Sequence, residues 1–145
     1  MKRVLFTLSF LVMTGIVFGQ TTYYWVGGTT PSTSITTGSN WNTALDGSGS
    51  NRPSSSGAND VLIFDGSNVG GSAPATGPVT VLANGSITCG QMKFTNNANI
   101  TFIRASSGTS TITISGEDTG DDFVMDPGTS LNFTSTVGSI RMAMA

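Results

Sequence analysis

Short segments of alternating apolar and polar residues recur along the chain after residue 20. Three of them place large apolar residues on both sides of a polar one, at 100–102, 112–114 and 131–133. A period of two puts the apolar side chains on one face of a β-strand. Gly, Asn, Ser and Asp-Pro turn signals separate the segments, so the pattern predicts many short strands joined by tight turns.

Ten strands are predicted from this pattern, most of them rich in Val, Ile, Phe and Thr. They cover 23–26, 61–64, 79–82, 86–88, 91–95, 99–103, 111–114, 123–125, 131–134 and 140–142. No window after residue 20 sustains apolar residues at helical spacing, and good helix formers are scarce there. The fold class is therefore predicted to be all-β.

Two all-β architectures fit strands of this length and spacing. In a parallel β-helix, short strands stack as successive rungs, and each rung buries only a few apolar residues. In a β-sandwich, similar strands are joined by hairpins. We favour the β-helix because the strands are very short and because Thr and Asn alternate with Ile and Phe, as stacked rows of like residues require. The β-sandwich is the alternative.

The chain divides into three predicted regions. Residues 1–19 carry Lys2 and Arg3 before an apolar run, the pattern of a signal peptide cleaved after Gly19. Residues 20–77, dense in small polar residues, are predicted to form an N-terminal cap and loop region. Residues 78–145 are predicted to form the first rungs of a β-helix. We expect a secreted or outer-surface protein with no membrane span after signal cleavage.

The last predicted strand lies in the segment 139–145, which is strand-like and has no polar cap after it. An uncapped terminal rung exposes strand edges and core side chains. We therefore expect this chain to be the N-terminal piece of a longer protein, with the same polypeptide continuing the stack.

Composition narrows the function classes. The 145 residues include no histidine, one cysteine and six basic residues, with a net charge of −2. Without histidine, Ser-His-Asp and Cys-His triads are excluded, and a single cysteine excludes an intrachain disulfide. Scattered basic residues give no nucleic-acid footprint. We expect no enzyme activity and no cofactor, and we interpret Cys89 as a small buried hydrophobic residue.

All Tyr and Trp residues lie near the N-terminus, at Tyr23, Tyr24, Trp25 and Trp41. On an exposed face, such rings would stack on the sugars of extracellular glycans. The alternative, which we favour, is that they cover the open N-terminal end of the core, because large rings cover the most area per residue.

Acidic residues suggest two further roles. Asp60 and Asp65 flank one predicted strand and are expected to make turn hydrogen bonds. The one acidic cluster is a weak calcium candidate, because oxygen-rich loops bind Ca²⁺, but it lacks the spacing of known calcium loops and is more simply a solvated turn. Its residues are Glu117, Asp118, Asp121, Asp122 and Asp126.

Several motifs resemble those of a known family. YYWVGG at 23–28, GSNW at 38–41, Pro53 and NDVLIFD at 59–65 resemble the N-terminus of large secreted, cell-surface repeat proteins of Bacteroidetes-type bacteria. Segments 87–94 and 112–116 extend the similarity, and autotransporter passenger proteins share a looser form. The resemblance implies a right-handed parallel β-helix exposed at the cell surface, often followed by a C-terminal sorting or anchoring domain.

These observations predict a structural or adhesive β-helix module, without catalytic residues, that contacts extracellular glycans or cell surfaces. Two alternatives belong to other classes. One is a carbohydrate-binding module, based on the four aromatic residues. The other is the N-terminal part of a polysaccharide-active β-helix enzyme, although such enzymes need clustered acids, basic residues or histidine along a groove.

Overall fold

Eleven strands and one turn of 3-10 helix (Gly38–Asn40) make up the regular structure of the described residues. The structure is a computed structural model, and it describes residues 19–28, 33–53, 57–67, 78–116 and 120–145. The predicted all-β class is confirmed. The strands are β1 (Thr22–Trp25), β2 (Trp41–Asn42), β3 (Val61–Asp65), β4 (Val79–Leu82), β5 (Ile87–Cys89), β6 (Gln91–Thr95), β7 (Asn99–Arg104), β8 (Thr109–Ile114), β9 (Phe123–Met125), β10 (Ser130–Ser135) and β11 (Ser139–Met144).

Every one of the ten predicted strands overlaps an observed strand. The predictions for β4, β6 and β9 agree at both ends, and the others differ at one or both ends. Only β2 was not predicted, since it is two residues long and lies in a stretch of polar residues. The predicted signal peptide, residues 1–19, lies outside the described residues except for Gly19.

The strands form three sheets. The first sheet has the order β2-β1-β3-β6-β9, the second is β10-β7-β4 and the third is β11-β8-β5. All neighbours pair in parallel except β1 and β2, which are antiparallel. Within the described residues, β1 and β2 are also the only consecutive strands that pair, so the hairpins of the β-sandwich alternative are not the rule here.

Consecutive strands after β2 enter the three sheets in rotation. We call β3, β4 and β5 layer 1, β6, β7 and β8 layer 2, and β9, β10 and β11 layer 3. Each strand of one layer pairs with the corresponding strand of the next. The first sheet starts at β1 and β3, so it also crosses the boundary predicted at residue 78.

Register places similar side chains above one another inside the molecule. Phe64 of layer 1 pairs with Phe94 of layer 2, and their rings stack at 5.2 Å with an interplanar angle of 7°. In β7 and β8, alternate residues are buried, as the period of two predicts. Buried side chains from all three sheets form one hydrophobic core.

The turn between β6 and β7 is held by asparagines. Asn96 and Asn97 adopt left-handed backbone angles, with φ of 53° and 59°, which Asn tolerates better than most residues. Asn96 Nδ2 donates to Asp65 Oδ2 at 2.8 Å, which ties this turn to the one in layer 1. Asp65 Oδ1 also accepts from the N–H and hydroxyl of Ser67, so its predicted turn hydrogen bonds are confirmed.

Candidate functional site

Three of the four aromatic residues considered for glycan stacking are buried. Tyr23 is 7% exposed, Trp25 1% and Trp41 0%. Tyr24 alternates with them on β1 and is partly exposed. A sugar stacks on the open face of a ring, and these three rings have none. The placement of Tyr23, Trp25 and Trp41 therefore does not support glycan stacking, which leaves Tyr24 as the one candidate of the four.

The two indole rings form an aromatic cluster with Phe64 of layer 1. Trp25 lies edge-on to Trp41, with ring centroids 5.1 Å apart, and both rings contact Phe64 at 5.5 and 5.1 Å. Trp41 Nε1 donates to Ile35 O at 2.8 Å, and Trp25 Nε1 donates to Gly28 O at 3.2 Å. Because both indole donors are satisfied, the rings fit a buried position, as expected if they cover the end of the core.

Backbone pairing explains why these rings meet. β2 runs antiparallel to β1, and Trp25 lies directly opposite Trp41 in that pair. Beside them, residues 33–36 lie along β4, where Ile35 N donates to Leu82 O at 3.0 Å. Ile35 is fully buried. We call β1, β2 and residues 33–36 the closed end of the molecule.

A buried arginine fastens the loop after β2 to layer 1. Arg52 Nε donates to Asp60 Oδ2 at 2.7 Å, the one salt bridge among the described residues, and Arg52 Nη2 donates to Thr88 O at 2.9 Å. The side chain of Arg52 is 3% exposed. A guanidinium with five donors suits this task, since it bonds a carboxylate and a carbonyl at once. Its role is to position the loop.

Arg104 is a second buried guanidinium, and its recorded partners are uncharged. Nε donates to Gly108 O at 3.1 Å, Nη1 to Ala83 O at 3.0 Å and to the Ser110 hydroxyl, and Nη2 to Ser107 O at 2.6 Å. Ser107 and Gly108 lie in the turn between β7 and β8, Ser110 lies in β8, and Ala83 directly follows β4. Arg104 therefore organises a turn and links layer 2 to layer 1, and each of its three nitrogens donates at least one hydrogen bond.

Cys89 behaves as the predicted buried hydrophobic residue. Its side chain is fully buried in the core, and its Sγ lies 3.8 Å from Thr113 O. Burial raises the pKa of Cys89 to about 12, against a smaller opposing effect of Arg52. The thiol is therefore protonated at neutral pH, whereas a reactive cysteine needs its thiolate.

Only three of the five calcium candidates lie within the described residues. Glu117 and Asp118 lie outside the described residues, whereas Asp121 is exposed and Asp122 and Asp126 are partly buried. Oδ1 of Asp122 is enclosed without a hydrogen-bond partner. Across the described ranges, no three acids, cysteines or histidines come together as metal ligands would. Asp121, Asp122 and Asp126 therefore add no support to the weak calcium prediction, which stays a prediction.

Sequence reasoning missed the two arginine clusters. Arg52 and Thr88 are far apart in the chain, and so are Arg104 and Ala83, so no local motif reports these contacts. A signal was present only for Arg104, which directly follows the predicted apolar strand 99–103, because a charged side chain at the end of a buried strand needs partners. Arg52 lies in a polar stretch that gives no such signal. Neither cluster leaves a free reactive group.

The described part of the chain includes no helix long and apolar enough to cross a membrane. No protein-family model, no curated protein and no solved structure matches this chain.

Proposed function

We propose that this chain is part of a secreted or cell-surface protein, in which it forms a right-handed parallel β-helix with a structural and adhesive, non-catalytic role. The observation that carries the proposal is the rotation of consecutive strands through three parallel sheets. A chain that visits three sheets in turn and pairs in parallel with its previous visit has the connectivity of a β-helix. Such a coil is built to extend by adding layers.

Packing supports the role of a rigid spacer. The second sheet pairs all six residues of β7 with the six of β10, and the third pairs the six of β8 with those of β11. In these two sheets layer 3 is thus held to layer 2 along whole strands, and all three layers share one core. Continuous pairing of this kind resists bending, which a spacer at a cell surface requires.

The outward faces support contact with polar surfaces. In β8, Thr109, Thr111 and Thr113 alternate with the buried residues. These threonines lie beside Ser139, Arg141 and Ala143 of β11. The third sheet therefore offers mainly hydroxyl groups, which can exchange hydrogen bonds with glycans or other cell-surface polymers.

Export is supported by the sequence. The basic and apolar pattern of residues 1–19 is typical of a signal peptide, and the YYWVGG and NDVLIFD motifs resemble those of secreted surface proteins. The first motif includes three of the four residues of β1 and the second includes all of β3, and these are neighbouring strands of the first sheet.

A surface-accessibility experiment tests the proposal. An epitope is inserted after Gly47, in an exposed turn where Ser48 donates to Asp46, and the full chain is produced in a bacterial host. We expect the epitope in the medium or on intact cells, where added protease removes it. The matched control lacks residues 1–19 and should keep the epitope inside. Retention of the full chain in the cytosol would contradict the proposal.

Binding and activity assays separate the two alternatives. A carbohydrate-binding module predicts saturable glycan binding that Tyr24→Ala abolishes without loss of stability, because Tyr24 is the one partly exposed ring of the four. A structural module predicts no change from that substitution. Cleavage of a uronate polymer by the purified protein would favour the enzyme and contradict a non-catalytic role.

A further inference from the structure

We infer that the outer face of layer 3 is a docking surface for a further layer of three parallel strands with apolar inward side chains; this rests on the proposed β-helix. The face carries seven apolar side chains, which we call the open face. They are Phe123, Met125, Leu131, Phe133, Ile140, Met142 and Met144. Each pairs in register with an inward residue of layer 2.

Exposure changes sharply between the two layers. In layer 2, Phe94, Phe102 and Ile114 are 0% exposed. Their partners in layer 3 are Met125, Phe133 and Met144, which are 41%, 45% and 61% exposed. The open face thus has apolar residues at the same register positions as layer 2, but among the described residues no further layer packs on them. A contiguous apolar patch of this kind marks an interaction site.

The free edges of the last strands indicate that the occupant is itself made of β-strands. β9, β10 and β11 each stand last in their sheet, so within the described residues each has one edge without a strand beside it. Three free edges around one apolar patch call for three strands at once. A lipid or a small apolar ligand would cover the side chains but leave the backbone N–H and C=O groups unpaired.

The contact between existing layers shows how the occupant would pack. Phe94 covers Phe64 at 5.2 Å, Phe123 covers Phe94 at 5.7 Å and Phe133 covers Phe102 at 5.7 Å. A further layer with apolar residues at the same registers would continue these contacts. It would pair in parallel, as every neighbour in the second and third sheets does.

The inference is tested by adding such a layer. In β11, Met144 lies opposite Ile114, so a copy of residues 116–144 placed after Ala145 continues the same register. A cysteine introduced by Phe133→Cys measures the accessibility of the open face through its rate of labelling with a thiol reagent. Native Cys89 is buried, so it labels slowly and does not obscure that rate. We expect the added copy to slow labelling of the introduced thiol at least tenfold. A scrambled copy is the matched control and should leave the rate unchanged. Met144→Cys gives a second position.

Two outcomes would overturn the inference. One is equal labelling with the true and the scrambled copy, while circular dichroism and cooperative unfolding show an intact β-fold. The other is a stable dimer of the unextended protein in analytical ultracentrifugation, with labelling that slows as concentration rises, which would make a second copy the occupant. Loss of β-structure in the unextended protein would instead refute the proposed β-helix, so the two failures are distinguishable.

Discussion

The two ends of the core are finished in different ways. At the closed end, Trp25 and Trp41 are at most 1% exposed, whereas on the open face Phe133 and Met144 are 45% and 61% exposed. Both ends begin from parallel strand pairs, but within the described residues only the closed end has a strand, β2, that pairs antiparallel to its neighbour. The comparison teaches that a stack is closed by a segment that breaks the repeat.

A few large apolar side chains are enough to cover the closed end of the core. The segment 33–53 is mostly polar, and its buried apolar side chains are Ile35 and Trp41. An indole covers a wide area, and Trp41 also satisfies its N–H on Ile35 O within the same segment. The arginine clamp of Arg52 on Asp60 then holds the rest of the loop against layer 1.

Trp41→Ala gives the largest expected difference between the two ends. The substitution removes a fully buried ring and its contacts with Trp25 and Phe64, and the polar loop around it is poorly suited to refill the space. We expect the free energy of unfolding to fall by about 3–5 kcal/mol. Urea unfolding of the protein without residues 1–19 measures the change.

Phe133→Ala is the matched substitution on the open face. Because this ring is already 45% exposed, we expect a loss of about 1 kcal/mol or less. Trp41→Phe keeps most of the apolar area but leaves Ile35 O without its donor, so a loss of about 1–2 kcal/mol is expected even if Trp41→Ala does not fold. Equal losses for Trp41→Ala and Phe133→Ala would contradict the division into closed and open ends.

Local pattern was enough to predict the strands, although not which strands pair. In strands such as β7 and β8, buried and outward-facing residues alternate, and this period of two can be recognised from a few consecutive residues. The placement of the indoles could be predicted only as one of two options, because a Trp near a chain end looks the same whether it covers a core or binds a sugar. The antiparallel pair of Trp25 with Trp41 joins two residues that are well separated in the chain, and no short motif encodes that pairing.

Arg104→Met has the second-largest expected effect on the free energy of unfolding. Arg104 lies in layer 2, between the closed end and the open face. The variant keeps much of the side-chain volume but removes the donors to Ala83 O, Ser107 O and Gly108 O. Ala83 O is buried and loses a charged donor but keeps the Ser110 hydroxyl, whereas Ser107 O and Gly108 O lie in an exposed turn where water can replace the guanidinium. We therefore expect the free energy of unfolding to fall by about 2 kcal/mol. Arg141→Met is the matched control, since Arg141 is exposed on β11, and it should change stability by about 0.5 kcal/mol or less. A similar loss in both variants would show that charge, rather than the hydrogen bonds of the turn, is responsible.

The partners of the buried arginines could not be predicted from the sequence for a physical reason. Their acceptors are mainly backbone carbonyls such as Thr88 O and Ala83 O, and every residue carries a carbonyl. Only the stacking of layers selects which carbonyl lies within reach. Asp60 makes a turn hydrogen bond as predicted, since its N–H donates to Gly57 O at 3.1 Å, but the pattern does not predict that its carboxylate accepts from Arg52.

The smallest expected effect is a pH dependence of stability that arises from Asp65, in the turn that Asn96 contacts. Burial raises the pKa of Asp65, but hydrogen bonds from Ser67 and Asn96 outweigh it and hold the pKa below its ordinary value of 3.8. A carboxyl with a lowered pKa in the folded state contributes stability above its unfolded pKa and loses it as the pH falls through the folded pKa.

Asp65→Asn should therefore flatten the loss of stability on acidification below about pH 4, because the group whose protonation differs between the folded and unfolded states is gone. Ser67→Ala removes only the hydroxyl donor and should give an intermediate slope. Urea unfolding midpoints between pH 7 and pH 2.5 measure the slopes. The stacked turn lies in layer 1, which the closed end covers, so Phe133→Ala on the open face should leave the acid slope at that of the parent protein. If Phe133→Ala altered the slope as much as Asp65→Asn, the acid response would report on general loosening of the stack, and the turn of layer 1 would have no special part in it.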